Sequence, residues 1–252
     1  MNRFKLILII LTIQSISSFG QKGKSFDIKD FSKKQLLAEW LCNYDAIAWW
    51  TSDSVMKQDS LELKRLGKEW FCYQTSDNNW HAVYGKYDNN RFDLVFHYLV
   101  DKNNNVSRIS EAVDSSKLNT YSRALITANK QMQSLKDSIN VLFNQYIKQN
   151  EDKTFSVWIF PAFQPSNHAV YGGEFIYTID HTGNNVLKNE SYYQGQFRGF
   201  KVDKPREIWL NYRELENPSL GSVFFVWYYK SYFTSIKIDN KDFVSSTIKN
   251  DD

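Results

Sequence analysis

The pentapeptide His81-Ala82-Val83-Tyr84-Gly85 returns as His168-Ala169-Val170-Tyr171-Gly172. Each copy follows a tryptophan-containing apolar stretch, Trp70-Phe71-Cys72-Tyr73 before the first and Val157-Trp158-Ile159-Phe160 before the second. Downstream of each, an apolar run closes on an aspartate and an asparagine-rich turn. Tyr98-Leu99-Val100-Asp101 leads into Asn103-Asn104-Asn105, and Tyr177-Thr178-Ile179-Asp180 leads into Gly183-Asn184-Asn185. Five identical residues alone carry little weight in a chain of 252. The matching flanks argue for an internally duplicated β unit.

Working outward from the first copy, a period of two predicts strands at 69–74, 80–87, 92–100 and 105–110. The links between them are short and built from Ser, Asp and Asn, which tolerate turn geometry, so the strands read as an antiparallel meander. Around the second copy the same reasoning gives strands at 154–160, 169–180, 185–197 and 206–212, then a long run at 222–239. Pro161 and Pro165 bar 161–167 from a central strand and make it a loop. Gly172-Gly173 marks a bulge or a close backbone approach.

Two stretches read as helices. Leu36, Leu37, Trp40, Leu41, Tyr44, Ile47 and Ala48 recur at spacings of three and four after Ser32, a cap residue, and the pattern ends near Trp50. Leu118, Tyr121, Leu125, Ala128, Met132, Leu135, Ile139, Leu142 and Tyr146 do the same. No Gly or Pro falls between Ser115 and Asn150, so the pattern predicts one helix of about thirty residues, roughly 50 Å long. Ile126, Phe143 and Ile147 widen its apolar stripe beyond a coiled-coil seam. That favours a monomer with the helix lying on a sheet over a dimer zipped through Leu125 and Leu135.

The expected fold class is therefore α+β, with antiparallel sheets in two αβββ-type halves. Residues 32–112 form the first half, after a polar lead-in at 21–31. Residues 113–252 form the second, comprising the long helix at 113–150 and a β-rich part at 151–252. At the start, Arg3 and Lys5 precede the apolar run Leu6-Ile7-Leu8-Ile9-Ile10-Leu11, and Ser18 and Gly20 are small. This pattern predicts a signal peptide over 1–20, cut after Gly20, and a secreted or periplasmic product. No later apolar run has the length of a bilayer span, since Val223-Phe224-Phe225-Val226-Trp227-Tyr228-Tyr229 is closed by Lys230.

The net charge of +3 includes Arg3 and Lys5, and no basic block follows, which argues against a nucleic-acid partner. No glycine-rich phosphate loop links a strand to a helix, and no cofactor is expected. Cys42 and Cys72 are candidates for a disulfide, which would close a loop of about thirty residues and contribute roughly 3–4 kcal/mol. Two buried thiols, one on an apolar helix face and one in an apolar strand, are the reading favoured over the bridge.

His81, His97, His168 and His181 lack the close spacing of a readable metal site, so no metal is expected. A hydrolase of cell-envelope or extracellular polymer is the second functional reading, with His168, Glu174 and Asp180 as its catalytic group. Ser166 stands two residues before His168, but the chain has no Gly-x-Ser-x-Gly elbow. The first reading rests on the aromatic content of 16%. It is a non-enzymatic binding or structural module for an extracytoplasmic protein or glycan. His81, Tyr84, Gln164, His168 and Tyr171 are its contact residues, on the HAVYG strands and the adjacent loop.

Overall fold

A computed structural model describes residues 26–248, so the signal segment and its cleavage point lie outside the described residues. The chain is α+β. Helix α1 (Ile28–Val55) is followed by a short α2 (Ser60–Leu63) and a meander of β1 (Glu69–Gln74), β2 (Trp80–Asp88), β3 (Arg91–Val100) and β4 (Val106–Arg108). Helices α3 (Ser115–Gln131) and α4 (Gln133–Ser138) lead to β5 (Phe143–Gln149), β6 (Phe155–Pro161), β7 (His168–Tyr171), β8 (Phe175–Ile179) and β9 (Val186–Ser191). The chain closes with β10 (Arg198–Lys201), β11 (Glu207–Tyr212), α5 (Leu220–Tyr229), a 3₁₀ turn at Lys230–Tyr232, β12 (Ser235–Asn240) and β13 (Val244–Ile248).

Among the described residues the strands form four sheets: β1-β2-β3-β4, β5-β6-β8-β9, the ribbon β7-β10, and β11-β12-β13. All pairings are antiparallel except β11 with β12, which α5 connects as a crossover. The two four-stranded sheets adjoin along β1 and β5 and share one core. Helix α1 covers one face, with Trp40 against Trp80 and Trp158 and Tyr44 against Trp70 and Tyr146. Helix α3 covers the other, with Tyr121 against Phe71 and Phe155.

Asp27 caps α1 by accepting from Asp30 N at 2.9 Å, so the helix begins four residues before the Ser32 expected from sequence. Its buried side chains, Ala38, Leu41, Tyr44, Ile47, Ala48, Thr51 and Val55, keep the three-and-four spacing.

Three expectations are corrected. The continuous helix of 113–150 is absent: α3 ends at Gln131, α4 at Ser138, and 143–149 is a strand. Ser138-Ile139-Asn140-Val141 are weak helix formers, and Phe143, Tyr146 and Ile147 favour a strand. Leu142 and Tyr146 fitted the helical spacing only because a step of four also fits a period of two. Leu125 is buried in the main core, which removes it from any zipper seam.

The long strand at 222–239 is instead α5 plus β12. Ser219 caps α5 by accepting from Ser222 N at 3.0 Å. The helix is apolar all round because it sits between two cores, giving Val223 and Phe224 to one and Phe225, Val226 and Tyr229 to the other.

Third, the two HAVYG copies are not equivalent. β2 lies inside a four-stranded sheet, whereas β7 leaves its meander to pair with β10. The predicted strand 169–180 is broken at Gly172, whose φ is +91°.

Candidate functional site

The expected contact residues scatter. Tyr84 is buried beneath α1, its hydroxyl 2.7 Å from Thr51 Oγ1, 3.1 Å from Ser52 Oγ and 3.2 Å from the Ala48 carbonyl. Tyr171 is buried in the smaller core, stacked on Phe200. Neither tyrosine faces solvent, which corrects the idea of an exposed HAVYG face. The alternation placing Tyr84 opposite His81 holds, but helices cover both sides of the sheet.

His81 is buried on the α3 side. His97 Nδ1 faces the Glu111 carbonyl at 3.1 Å and must donate to it, so His97 Nε2 accepts from His81 Nδ1 at 2.9 Å. Tyr73 stacks on His81 at 4.9 Å, with Lys117 Nζ 3.4 Å above the tyrosine ring. Burial is the main reason both histidines titrate below their ordinary value.

The hydrolase group of His168, Glu174 and Asp180 does not converge. Six residues of mostly extended chain, about 20 Å, separate the two acids. Asp180 caps the β8–β9 turn, accepting from Thr182, Asn184 N and Asn185, and these bonds overcome its desolvation to hold it at about 2. Glu174 is buried between Tyr212, which donates to Oε1, and Gly221. Burial raises it to about 7 against the hydrogen bonds of Tyr212 and Gly172 N, and among the described residues Oε2 has no partner.

Cys42 and Cys72 are free thiols, and the candidate disulfide is not formed. Tyr44 OH accepts from Cys72 N at 2.8 Å, and Cys42 stands about 200° around α1 from Tyr44. It therefore faces away from Cys72. Burial and the Asp45 carboxylate push its thiol up to about 12. Among the described residues, no three of His, Cys, Asp and Glu cluster as a metal set.

What the fold does bring together is a cleft of about 350 Å³ between α1, the start of β5, the 162–167 loop and α5. Asp45 is its charged group. One carboxylate oxygen accepts from Asn144 Nδ2 at 2.8 Å and Tyr146 OH at 3.0 Å, the other from Tyr228 OH at 2.7 Å. Burial raises the acid's pKa, partly offset by the Tyr228, Tyr146 and Asn144 bonds. Both phenols are themselves held above their ordinary range by burial and by Asp45, and so remain donors. Trp49, 68% exposed, and the half-buried Trp70 and Phe163 supply aromatic walls.

Gln164 and Pro165 stand at the cleft's edge, but Gln164 is not a free contact group. Its Oε1 accepts from Leu142 N at 3.0 Å and its Nε2 donates to the carbonyls of Leu142 and Ala162. It clamps the loop to the start of β5. Pro165 occupies the second position of a tight turn in which Asn167 N donates to Gln164 O at 3.0 Å, with Asn167 at φ 58°.

Asp45, Asn144 and Tyr228 were missed because their partners lie about 100 and 183 residues apart. A lone Asp in an apolar helix face was the available signal. No protein-family model matches the chain, no curated protein matches it, and no solved structure matches it.

Proposed function

We propose that the chain is an exported, non-enzymatic glycan-binding module whose site is the Asp45 cleft. The observation that carries the reading is one held carboxylate flanked by aromatic rings at a half-open cleft. A ring such as Trp49 supplies a flat apolar surface for a sugar face at small entropic cost. Asp45 has about four acceptor positions and three are filled, leaving capacity for one ligand hydroxyl. Glycoside hydrolysis ordinarily uses two carboxylates flanking the bond. Among the described residues lining this cleft Asp45 is the single acid, which favours binding over cleavage. Export rests on the charged and apolar pattern of residues 1–20.

The two meanders are best taken as tandem copies in a frame shifted from the pentapeptides, with β1 matching β5, β2 β6, β3 β8 and β4 β9. The support is in their turns. Asp101 accepts from Asn105 Nδ2 at 2.9 Å after β3, and Asp180 from Asn185 Nδ2 at 2.8 Å after β8.

The test is binding of the purified protein to a panel of immobilised oligosaccharides, followed by calorimetry on the hits. Trp49→Ala is expected to weaken binding about tenfold, the loss of one stacked ring, with an unchanged unfolding midpoint. An empty panel, or a Trp49→Ala variant that binds like the parent, rejects the cleft.

A further inference from the structure

A second cleft, of about 640 Å³, lies on the far side of the 163–167 loop, and Gln164 and Pro165 line both. The two differ in charge. Among the described residues, the charged group is Asp45 on one side and Arg198 on the other, where no acid contributes to the wall. We propose that the Arg198 cleft is a carboxylate subsite of the same groove. The ligand is then an acidic glycan, a chain carrying uronic acid residues. This rests on the glycan reading of the Asp45 cleft and narrows its substrate class.

The guanidinium is oriented for the task. With the Gln196 amide oxygen turned towards it, Arg198 Nη2 and Nε donate to that oxygen at 2.9 and 3.3 Å. Two of the five N–H donors are thereby spent on one edge. The Nη1–Nη2 edge keeps a parallel pair, the geometry that receives a carboxylate in bidentate fashion. Among the described residues no carboxylate comes within ion-pair distance of Arg198.

His168 adds a second group. Its Nδ1 donates to the Ser166 carbonyl at 2.9 Å, with Ser166 Oγ at 3.1 Å, which makes Nε2 the ring's acceptor for a ligand hydroxyl. The Asp45 charge disfavours a uronate in its own cleft. A bound chain therefore seats a neutral ring against Trp49 and Asp45, passes over Pro165, and places its acidic ring on Arg198.

The experiment uses arrayed oligosaccharides of several backbones, each neutral and uronic-acid-bearing, with carboxyl-reduced forms of every hit. Expected is a signal concentrated on the uronate members, a loss of at least tenfold on carboxyl reduction, and the same loss in Arg198→Ala for the uronate form alone. Affinity for the uronate hits should also fall as salt rises. A sulfated neutral glycan bound as tightly as the uronate form, through Arg198, overturns the carboxylate assignment. Neutral hits unaffected by Arg198→Ala overturn this inference while leaving the Asp45 cleft as a glycan site. An array with no hits rejects both.

Discussion

The two HAVYG copies place one sequence in two settings. In β2 the five residues run through the middle of a sheet with a helix on each face. In β7 they form one strand of a two-stranded ribbon that ends at a glycine turn. His81 is buried against His97, while the half-exposed His168 looks into a cleft. Tyr84 is tied to α1, and Tyr171 packs in a different core. Local sequence set the strand and its side-chain alternation in both, but the partners of each strand came from elsewhere in the chain. A pentapeptide is too short to carry its own environment.

The shared glycine is where the two settings differ most, and it gives the largest expected effect. Gly85 sits at the register shift between β2 and β3, where an added Cβ would lie 2.2 Å from the Asp93 carbonyl and 2.7 Å from the Phe92 ring. Gly172 is less crowded, an added Cβ meeting the Gln196 carbonyl at a tight 3.3 Å, but adopts φ +91°. Gly85→Ala should cost on the order of 3 kcal/mol or more through backbone overpacking. Gly172→Ala should cost about 1–2 kcal/mol through strain at positive φ. Urea unfolding of the two variants measures the gap, and equal losses would erase the distinction.

The second expectation concerns Glu174, two residues beyond the second copy. Its folded value of about 7 stands above the ordinary 4.5, so the native state prefers the protonated acid. The stabilising contribution is complete below about pH 4.5 and fades as pH rises through about 7, a change of about 3 kcal/mol. Glu174→Gln should flatten that window in pH-dependent denaturation. A parental slope in the variant would assign the titration to another group.

Tyr84 and Tyr171 come next. Tyr84→Phe abandons a hydroxyl held by α1 and leaves Thr51 short of a partner, costing about 1–2 kcal/mol. The Tyr171 hydroxyl has only long contacts, 3.3 Å to Asn211 N and 3.5 Å to the Trp209 carbonyl, so Tyr171→Phe should cost about 0.5 kcal/mol or less. Thermal unfolding of both variants would reveal a reversed order.

What was legible in the chain followed from local rules. Strands β1, β2, β3 and β6 matched the period of two within a residue or so, because apolar alternation and Asn-Asp turns act over a few residues. The strand at the end of the expected long helix, and the helix in the first part of the expected last strand, escaped the sequence reading for a common reason. Around Tyr146 the spacing suited either period, and around Phe224 the apolar run fitted any fully buried element. Asp45 was unreadable for a different reason, since a carboxylate gains its role from partners on β5 and α5. The 163–167 segment was legible as a loop, through Pro165, while the chemistry of Gln164 was not, because its amide turns inward to the backbone.

The smallest expectation returns to the first copy and tests whether its histidine is spent on structure. The His81–His97 bond needs an unprotonated acceptor at His97 Nε2, and burial lowers both histidines against the opposing pull of Glu111. A histidine whose folded value is depressed stabilises the native state above its unfolded value, about 6.5, and that contribution is lost as pH falls through the folded value. This is the reverse of Glu174, so the two copies sit beside groups that weaken the fold at opposite ends of the pH range. His81→Asn should shallow the decline of the unfolding midpoint below about pH 6.5 and leave the loss on the alkaline side of pH 4.5, which belongs to Glu174, in place. An acid slope identical to the parent's would mean that the bond between the two imidazoles does not couple folding to protons.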